Sequence, residues 1–480
     1  MVSKIFHLKI SALLCLVGVI NGQEKLGIVN SNYSPVNSIF LNPSFSADSK
    51  TYMQLKFAGL SAFVMTNAGY IPSTSLWSFR AAGEGPLPQP AEGTRNRFAF
   101  LTAAAEGPCF VMSKNLFGAG IFVRGRSILN VRRLPHQFTS LVLGQEPIGP
   151  DRLDVDLKNG GFANLTWLEI GGNFSYIISR SGPHLWQAGI NVSYLMGYNA
   201  LYANLKELRG FYNDSVLDVQ RLDGRIFYNT PRFNSGRGLA TDVGIVYKKM
   251  LGNIDHYLAH AVRSNCAIVD YKYRIGLSLR DAGFVKVNSG VVDRRINGAG
   301  YLSIEQERGT FTRITETNVE LEESTAPVRV FLPLTASLQF DYNFENNIYL
   351  AGVFVKNMVP AGLPAVQGHD LLAVIPRVEF KNIEVALPFT MHRYVYPRLG
   401  FAFRVRSLVL GVDNVFPLLM RTNVNTVGLY ANLSVSLFRN PACRFKCRAV
   451  DDCMPRLRSA RQKGAGFFRT VFGRKKTYRK

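Results

Sequence analysis

The sequence predicts an all-β fold, a transmembrane antiparallel β-barrel of about 14 strands (12–16). Apolar and polar residues alternate along many segments of roughly ten residues. The connections between these segments alternate between short and long. Beyond residues 1–22 no apolar run is long enough for a membrane-spanning helix.

Alternation is clearest from Val269 to Asp281, V-D-Y-K-Y-R-I-G-L-S-L-R-D. Val269, Tyr271, Tyr273, Ile275, Leu277 and Leu279 alternate with Asp270, Lys272, Arg274, Gly276, Ser278 and Arg280. A strand sorts these onto two faces, one greasy and one charged, whereas a helix would mix them around its circumference. A soluble β-propeller would supply many strands, but not the alternation of short and long connections.

The ends of the chain differ from its middle. Residues 1–22 read as a secretory signal: Lys4 and Lys9 are basic, Ile10 to Ile20 are apolar, and Gly22 is small enough to precede a cut. Residues 23–50 carry Pro35 and Pro43, which argue against a regular strand or helix. This stretch is read as a plug-like segment that tucks into the barrel mouth or lumen. The barrel then occupies residues 51–438.

Residues 439–480 hold fourteen Lys or Arg against Asp451 and Asp452, so about half of the net charge of +23 belongs to a basic tail.

In chain order, Met53, Leu55 and Phe57 flank Gln54 and Lys56. Residues 97–113 form a long strand, turn at Lys114 to Phe117, and return as Gly118 to Val131. Leu168, Ile170, Phe174, Tyr176 and Ile178 alternate with polar residues, Ser181-Gly182-Pro183 turns, and Ala188 to Met196 alternate again. Thr241 to Tyr247 and the 269–281 strand follow. Leu334 to Tyr342, 347–357, Val378 to Lys381, Ile383–Phe389, Leu399 to Arg406, Ser407–Val412 and Leu429 to Phe438 complete the set. Polar stretches at 203–236 and 284–327 read as long loops. Outer-membrane barrels have short periplasmic turns and long external loops, so both termini of an even-stranded barrel fall in the periplasm. The 251–266 connection is the exception, long on the short-turn side.

The run G-P-C-F-V-M-S-K-N-L-F-G-A-G-I-F-V-R-G-R-S at 107–127 resembles a segment of an uncharacterised outer-membrane barrel family of the Bacteroidetes, a domain of unknown function. W-L-E-I-G-G-N-F-S-Y (167–176), A-T-D-V-G-I-V-Y (240–247) and Y-K-Y-R-I-G-L-S-L-R-D-A-G (271–283) are also similar to it. That family is loosely similar to the PorP/SprF proteins of type nine secretion. Leu41, Asn42, Pro43 and Ser44 resemble the Asn-Pro-Ala element near the start of fatty-acid-transporter-like barrels, with Ser44 in place of Ala. The resemblance implies a fold and a Gram-negative outer-membrane location. Its motifs are strand patterns and imply no activity.

No catalytic set is legible. His256 and His260 are four apart without the Glu of H-E-x-x-H, and neither G-x-S-x-G nor a phosphate-binding glycine loop occurs. The chain is expected to be no enzyme and to need no cofactor or metal.

Charges on the inward faces are expected to line the lumen: Arg124, Arg126, Lys272, Arg274, Arg280, Arg377, Lys381, Arg404 and Arg406, against Glu169, Asp242, Asp270, Asp341 and Glu379. They either pair across a rigid, wet lumen or line a mildly anion-preferring passage, whose field pairing would weaken.

Cys443, Cys447 and Cys453 suggest a disulfide among themselves with one thiol spare, while Cys109 and Cys266 stand alone. Expected partners are outer-membrane lipid and, through the basic tail, a periplasmic protein or anionic polymer; nucleic acid is not expected. The lumen face should tolerate charge better than the lipid face. Arg at Leu277 should cost about 2–4 kcal/mol and Arg at Ser278 less. Function narrows to a barrel with a transport or secretion-associated role, or to a non-transporting component of a surface assembly.

Overall fold

The computed structural model describes residues 25–444 apart from 75–88, 94, 137–152, 214–215, 263–265, 306–309, 361 and 421. Residues 1–22, whose sequence reads as a signal, and most of the basic tail, with Cys447 and Cys453, lie outside the described residues. Fourteen antiparallel strands close into a barrel. They are β1 (Met53–Thr66), β2 (Arg97–Lys114), β3 (Phe117–Leu134), β4 (Leu153–Ser181), β5 (His184–Asn213), β6 (Gly236–Met250) and β7 (Tyr271–Val287). Then come β8 (Val328–Phe331 and Thr335–Asn343), β9 (Ile348–Asn357), β10 (Leu371–Glu379) and β11 (Ile383–Ala386 and Phe389–His392). β12 (Tyr396–Leu399 and Phe401–Val405), β13 (Leu408–Val412) and β14 (Thr426–Leu437) complete the wall. Closure is made by β1, whose Met53 lies opposite Leu437 of β14 on one side and Met112 of β2 on the other.

Alternation dictates the two faces of the wall. On β7, Ile275 and Leu277 are exposed on the outside, while Arg274, Ser278 and Arg280 are buried inside. Phe174, Ile190, Val243, Phe340, Phe354, Val374, Phe389 and Leu433 extend the same exposed apolar belt around the barrel. So much continuous apolar surface is stable only against lipid.

Two stretches expected as loops are strands. Beyond the closed wall, β5 pairs with Val216–Asn229, that strand pairs with Val291–Glu305, and that one with Thr310–Ser324. These strands project past the belt, and the first of them buries Val219 against Leu157 and Leu208 of β4 and β5. Cross-strand ion pairs add to this packing, Arg225 with Asp293 (2.7 Å) and Arg294 with Glu323 (2.9 Å).

Candidate functional site

The lumen is filled. Residues 25–52 run inside the barrel, and almost every side chain there is buried. Pro35 and Pro43 each start a single helical turn, Pro35–Ser38 and Pro43–Ser46, in place of a strand. Asn42 caps the second turn: its Oδ1 accepts from Ser44 N (3.1 Å) and from Ser44 Oγ (2.6 Å). Its Nδ2 donates to Gln339 Oε1 of β8 (3.0 Å) and to Leu277 O of β7 (3.3 Å). Leu41, Asn42 and Ser44 are fully buried, and the Leu41 carbonyl accepts from Ser278 Oγ (2.7 Å).

The wall makes room for this turn with glycine. A Cβ on Gly244 would lie 2.1 Å from Asn42 Oδ1, one on Gly189 2.5 Å from Pro43 C, and one on Gly118 2.3 Å from Ser46 C.

Ion pairs join the segment to the wall. Arg274 Nη2 donates to Asp341 Oδ2 (2.7 Å) and to Asn30 O (2.8 Å). Arg377 bridges Asp341 (2.7 Å) and Glu379 (2.6 Å), and Asn32 Nδ2 donates to Glu379 Oε2 (2.8 Å). Arg404 Nε and Ser31 Oγ both donate to Glu384 Oε2, at 3.0 and 2.6 Å. Towards the long-connection end, Lys25 (2.5 Å) and Lys56 both pair with Glu106. Arg124 (2.6 Å) and Arg126 (3.0 Å) pair with Glu169, and Arg126 also pairs with Asp281 (2.5 Å). Arg280 Nη1 donates to Phe40 O (3.1 Å), and Asp242 Oδ2 accepts from Asn191 Nδ2 (2.9 Å). Lys25, Lys56, Glu106, Asp281 and Glu384 escape sequence reading because their partners are distant in the chain; Lys56 in the alternating β1 segment is the one legible signal.

Three of the charges expected in the lumen lie elsewhere. A register shift between Tyr271 and Tyr273 against β6 turns Tyr271 inward, and Lys272 goes to the rim beside Glu345 (3.0 Å). Lys381 and Arg406 lie exposed in turns, past the last paired residue of β10 and of β12. Asp270 sits just before β7, at the short-turn mouth, where it accepts from Lys50 Nζ (2.6 Å).

The long 251–270 connection folds across that mouth. Tyr257 Oη donates to Asp48 Oδ1 (2.7 Å), and Ala259 exchanges backbone bonds with Asn115 in the β2–β3 turn (2.7 and 3.0 Å). His260 is buried, with Nε2 donating to Ser49 O (2.9 Å). Cys443 forms a disulfide with Cys266 of this connection, 177 residues away, so the expected bond within the tail is replaced by one that stitches the chain after β14 to the mouth. No spacing in the sequence announces that partner.

At the opposite end, the inner face turns apolar. Phe63, Met65, Phe100, Leu165, Trp167 and Val285 are buried in one cluster. His369 and His392 stand among these rings, with His369 Nε2 and His392 Nδ1 2.8 Å apart and the His369 ring stacked on Phe63. Burial pushes His369 down to about 3. Where this layer meets the charged one lies a cavity of about 100 Å³, lined by Phe100 and Ile128 on one side and by Lys25, Glu106, Arg124 and Arg280 on the other. The lumen is thus layered from the long-connection end, with an apolar half, a band of paired charge, the buried segment and a closed mouth.

Residues 95–413 match the model described as "Family of unknown function (DUF5723)". No curated protein matches. A mutant of the TodX monoaromatic hydrocarbon channel is 12% identical, with a TM-score of 0.41 over 84% of this chain and 94% of that one. The toluene transporter TodX of P. putida is 11% identical, with a TM-score of 0.36 over 83% and 92% of the two chains. A FadL homologue of Pseudomonas aeruginosa is 9% identical, with a TM-score of 0.24 over 86% and 96%. These likenesses are distant, and the barrel stands on its own strand pairing.

Proposed function

The chain belongs to the family of unknown function DUF5723, and we propose that it is an outer-membrane channel for a small hydrophobic solute, closed by its own N-terminal segment. The carrying observation is the cavity above that segment, where the apolar half of the lumen ends against Lys25, Glu106 and Arg124. An apolar solute entering from the long-connection end would be desolvated among Phe63, Phe100 and Trp167 and halt at the charged band. Hydrogen bonds and ion pairs, which can be re-made with water, hold residues 25–52 in place. Displacing them opens a path, and both termini then lie in the periplasm. The reading assigns the barrel no catalytic step.

A second reading rests on the Cys266–Cys443 disulfide, which fixes at the mouth the point from which the sequence runs on into the basic tail. It makes the barrel a closed scaffold in a secretion-linked surface assembly, recruiting a periplasmic protein or anionic polymer through residues 445–480.

Planar-bilayer conductance separates the two. The full chain should conduct rarely, and deletion of residues 25–50 should conduct steadily. Gly244→Ala should raise the open fraction, because its Cβ collides with Asn42, whereas Gly352→Ala, with nothing within 4 Å, should not. Silence in all of them, from barrels that keep heat-modifiable migration, leaves the scaffold.

A further inference from the structure

Three basic residues form a row on the outside of the wall near its long-connection end. Arg237 of β6 lies directly opposite Lys286 of β7, and Lys286 lies directly opposite Arg329 of β8. All three are exposed. Directly opposed residues in an antiparallel pair have Cα atoms about 4.5–5.5 Å apart, and like charges so placed repel. Among the described residues no carboxylate forms an ion pair with any of them. Arg237 Nε donates to Asn234 Oδ1 (3.3 Å), and Arg329 lies over the Phe284 ring (5.2 Å).

Two residues nearer the membrane on the same face, Leu239, Phe284 and Phe331 form a parallel row, again directly opposite one another. The spacing between the rows is about 6.7 Å along a strand. Leu239 is 61% exposed, so this second row is the rim of the apolar belt.

We propose that this face binds a phosphate-bearing lipid of the outer leaflet. Its phosphate would lie across Arg237, Lys286 and Arg329, and its acyl chains on Leu239, Phe284 and Phe331. Three unneutralised cations at one level supply charge-assisted donors and relieve their own repulsion by sharing an anion. The apolar row beneath commits the site to a lipid, because a free anion gains nothing from it. The proposal rests on the reading that the long connections face outward.

The test uses the full chain in micelles and native mass spectrometry, with bis-phosphorylated lipid A and its dephosphorylated form as probes. Wild type should retain the phosphorylated lipid at least about tenfold better. R237A/K286A/R329A should lose that preference, R237K/R329K should keep it, and K356A/R393A, basic but elsewhere on the rim, should leave it intact. Heat-modifiable migration reports folding of each variant. Equal retention of the two lipids, loss of preference in K356A/R393A, or complete displacement by inorganic phosphate would overturn the site. Orientation is read separately, by labelling of N288C from outside whole cells. Labelling above the parent chain's background is expected, and its absence, with lipid preference intact in micelles, overturns the outer-leaflet assignment alone.

Discussion

At the scale of single residues, Leu277 and Ser278 carry the contrast between what alternation reveals and what it hides. Alternation assigns Leu277 to lipid and Ser278 to the lumen, and the structure places them so. It does not reveal that the lumen is occupied. Ser278 Oγ donates to Leu41 O (2.7 Å) and accepts from Gln339 Nε2 (3.1 Å), so a long side chain there has no water to enter. Leu277→Arg should cost about 2–4 kcal/mol for charge in lipid. Ser278→Arg should cost about as much rather than less, through overpacking of about 1–3 kcal/mol and a buried charge without a partner. It should also free residues 25–50 for proteolysis, which Leu277→Arg should not. Urea unfolding from lipid vesicles measures both, and a Ser278→Arg within about 0.5 kcal/mol of wild type would refute the filled lumen at this point. The same reasoning explains why Arg274, Arg377 and Arg404 were legible as inward while their partners Asn30, Asp341 and Glu384 were only partly so. Register gives a direction, and only the folded chain supplies the group that is met.

At the scale of elements, strands in the membrane were legible because lipid demands one greasy face. The strands Val216–Asn229, Val291–Glu305 and Thr310–Ser324 were not, because outside the belt either face can be polar. The 251–270 connection was legible only as a length anomaly, and its packing across the mouth gives it a pH dependence. Burial holds His260 below the ordinary value of about 6.5, in the neutral form that donates from Nε2 to Ser49 O, while Nδ1 has no partner among the described residues. The hydrogen bond to Ser49 O and, after it, the Asp48 carboxylate oppose the shift without reversing it. A histidine whose folded value is depressed contributes stability that is fully present above the unfolded value and lost as pH falls below it. The connection should therefore loosen as pH drops from about 7 towards 5. Hydrogen exchange of residues 254–260 should accelerate relative to the β4–β5 wall, and His260→Gln should remove most of the difference between the two pH values. Equal acceleration in wild type and variant would assign the effect to other groups.

At the scale of the whole molecule, closure is complete at Leu437, opposite Met53. From alternation alone, a cut after residue 440 would spare the fold, and the strand pairing agrees. The mouth sets a different limit. Asn440 Nδ2 donates to His260 O (3.2 Å), and Cys443 is bonded to Cys266, so the chain between them belongs to the closed end. Truncation after Arg444 should leave both the wall and the mouth intact, with no change in heat-modifiable migration. Truncation after Asn440 should keep the wall, because each β14 partner on β1 remains, but it removes Cys443 and leaves Cys266 as a thiol. Thiol titration of the native protein should rise by one group between the two truncations, since the other described free cysteine, Cys109, is buried against Val36 in both. Proteolysis within 251–270 should rise with it, and conductance should change only if the mouth, besides the N-terminal segment, closes the path. If the shorter chain fails to form a barrel at all, the segment after β14 is part of the wall's folding rather than a clasp on a wall already closed.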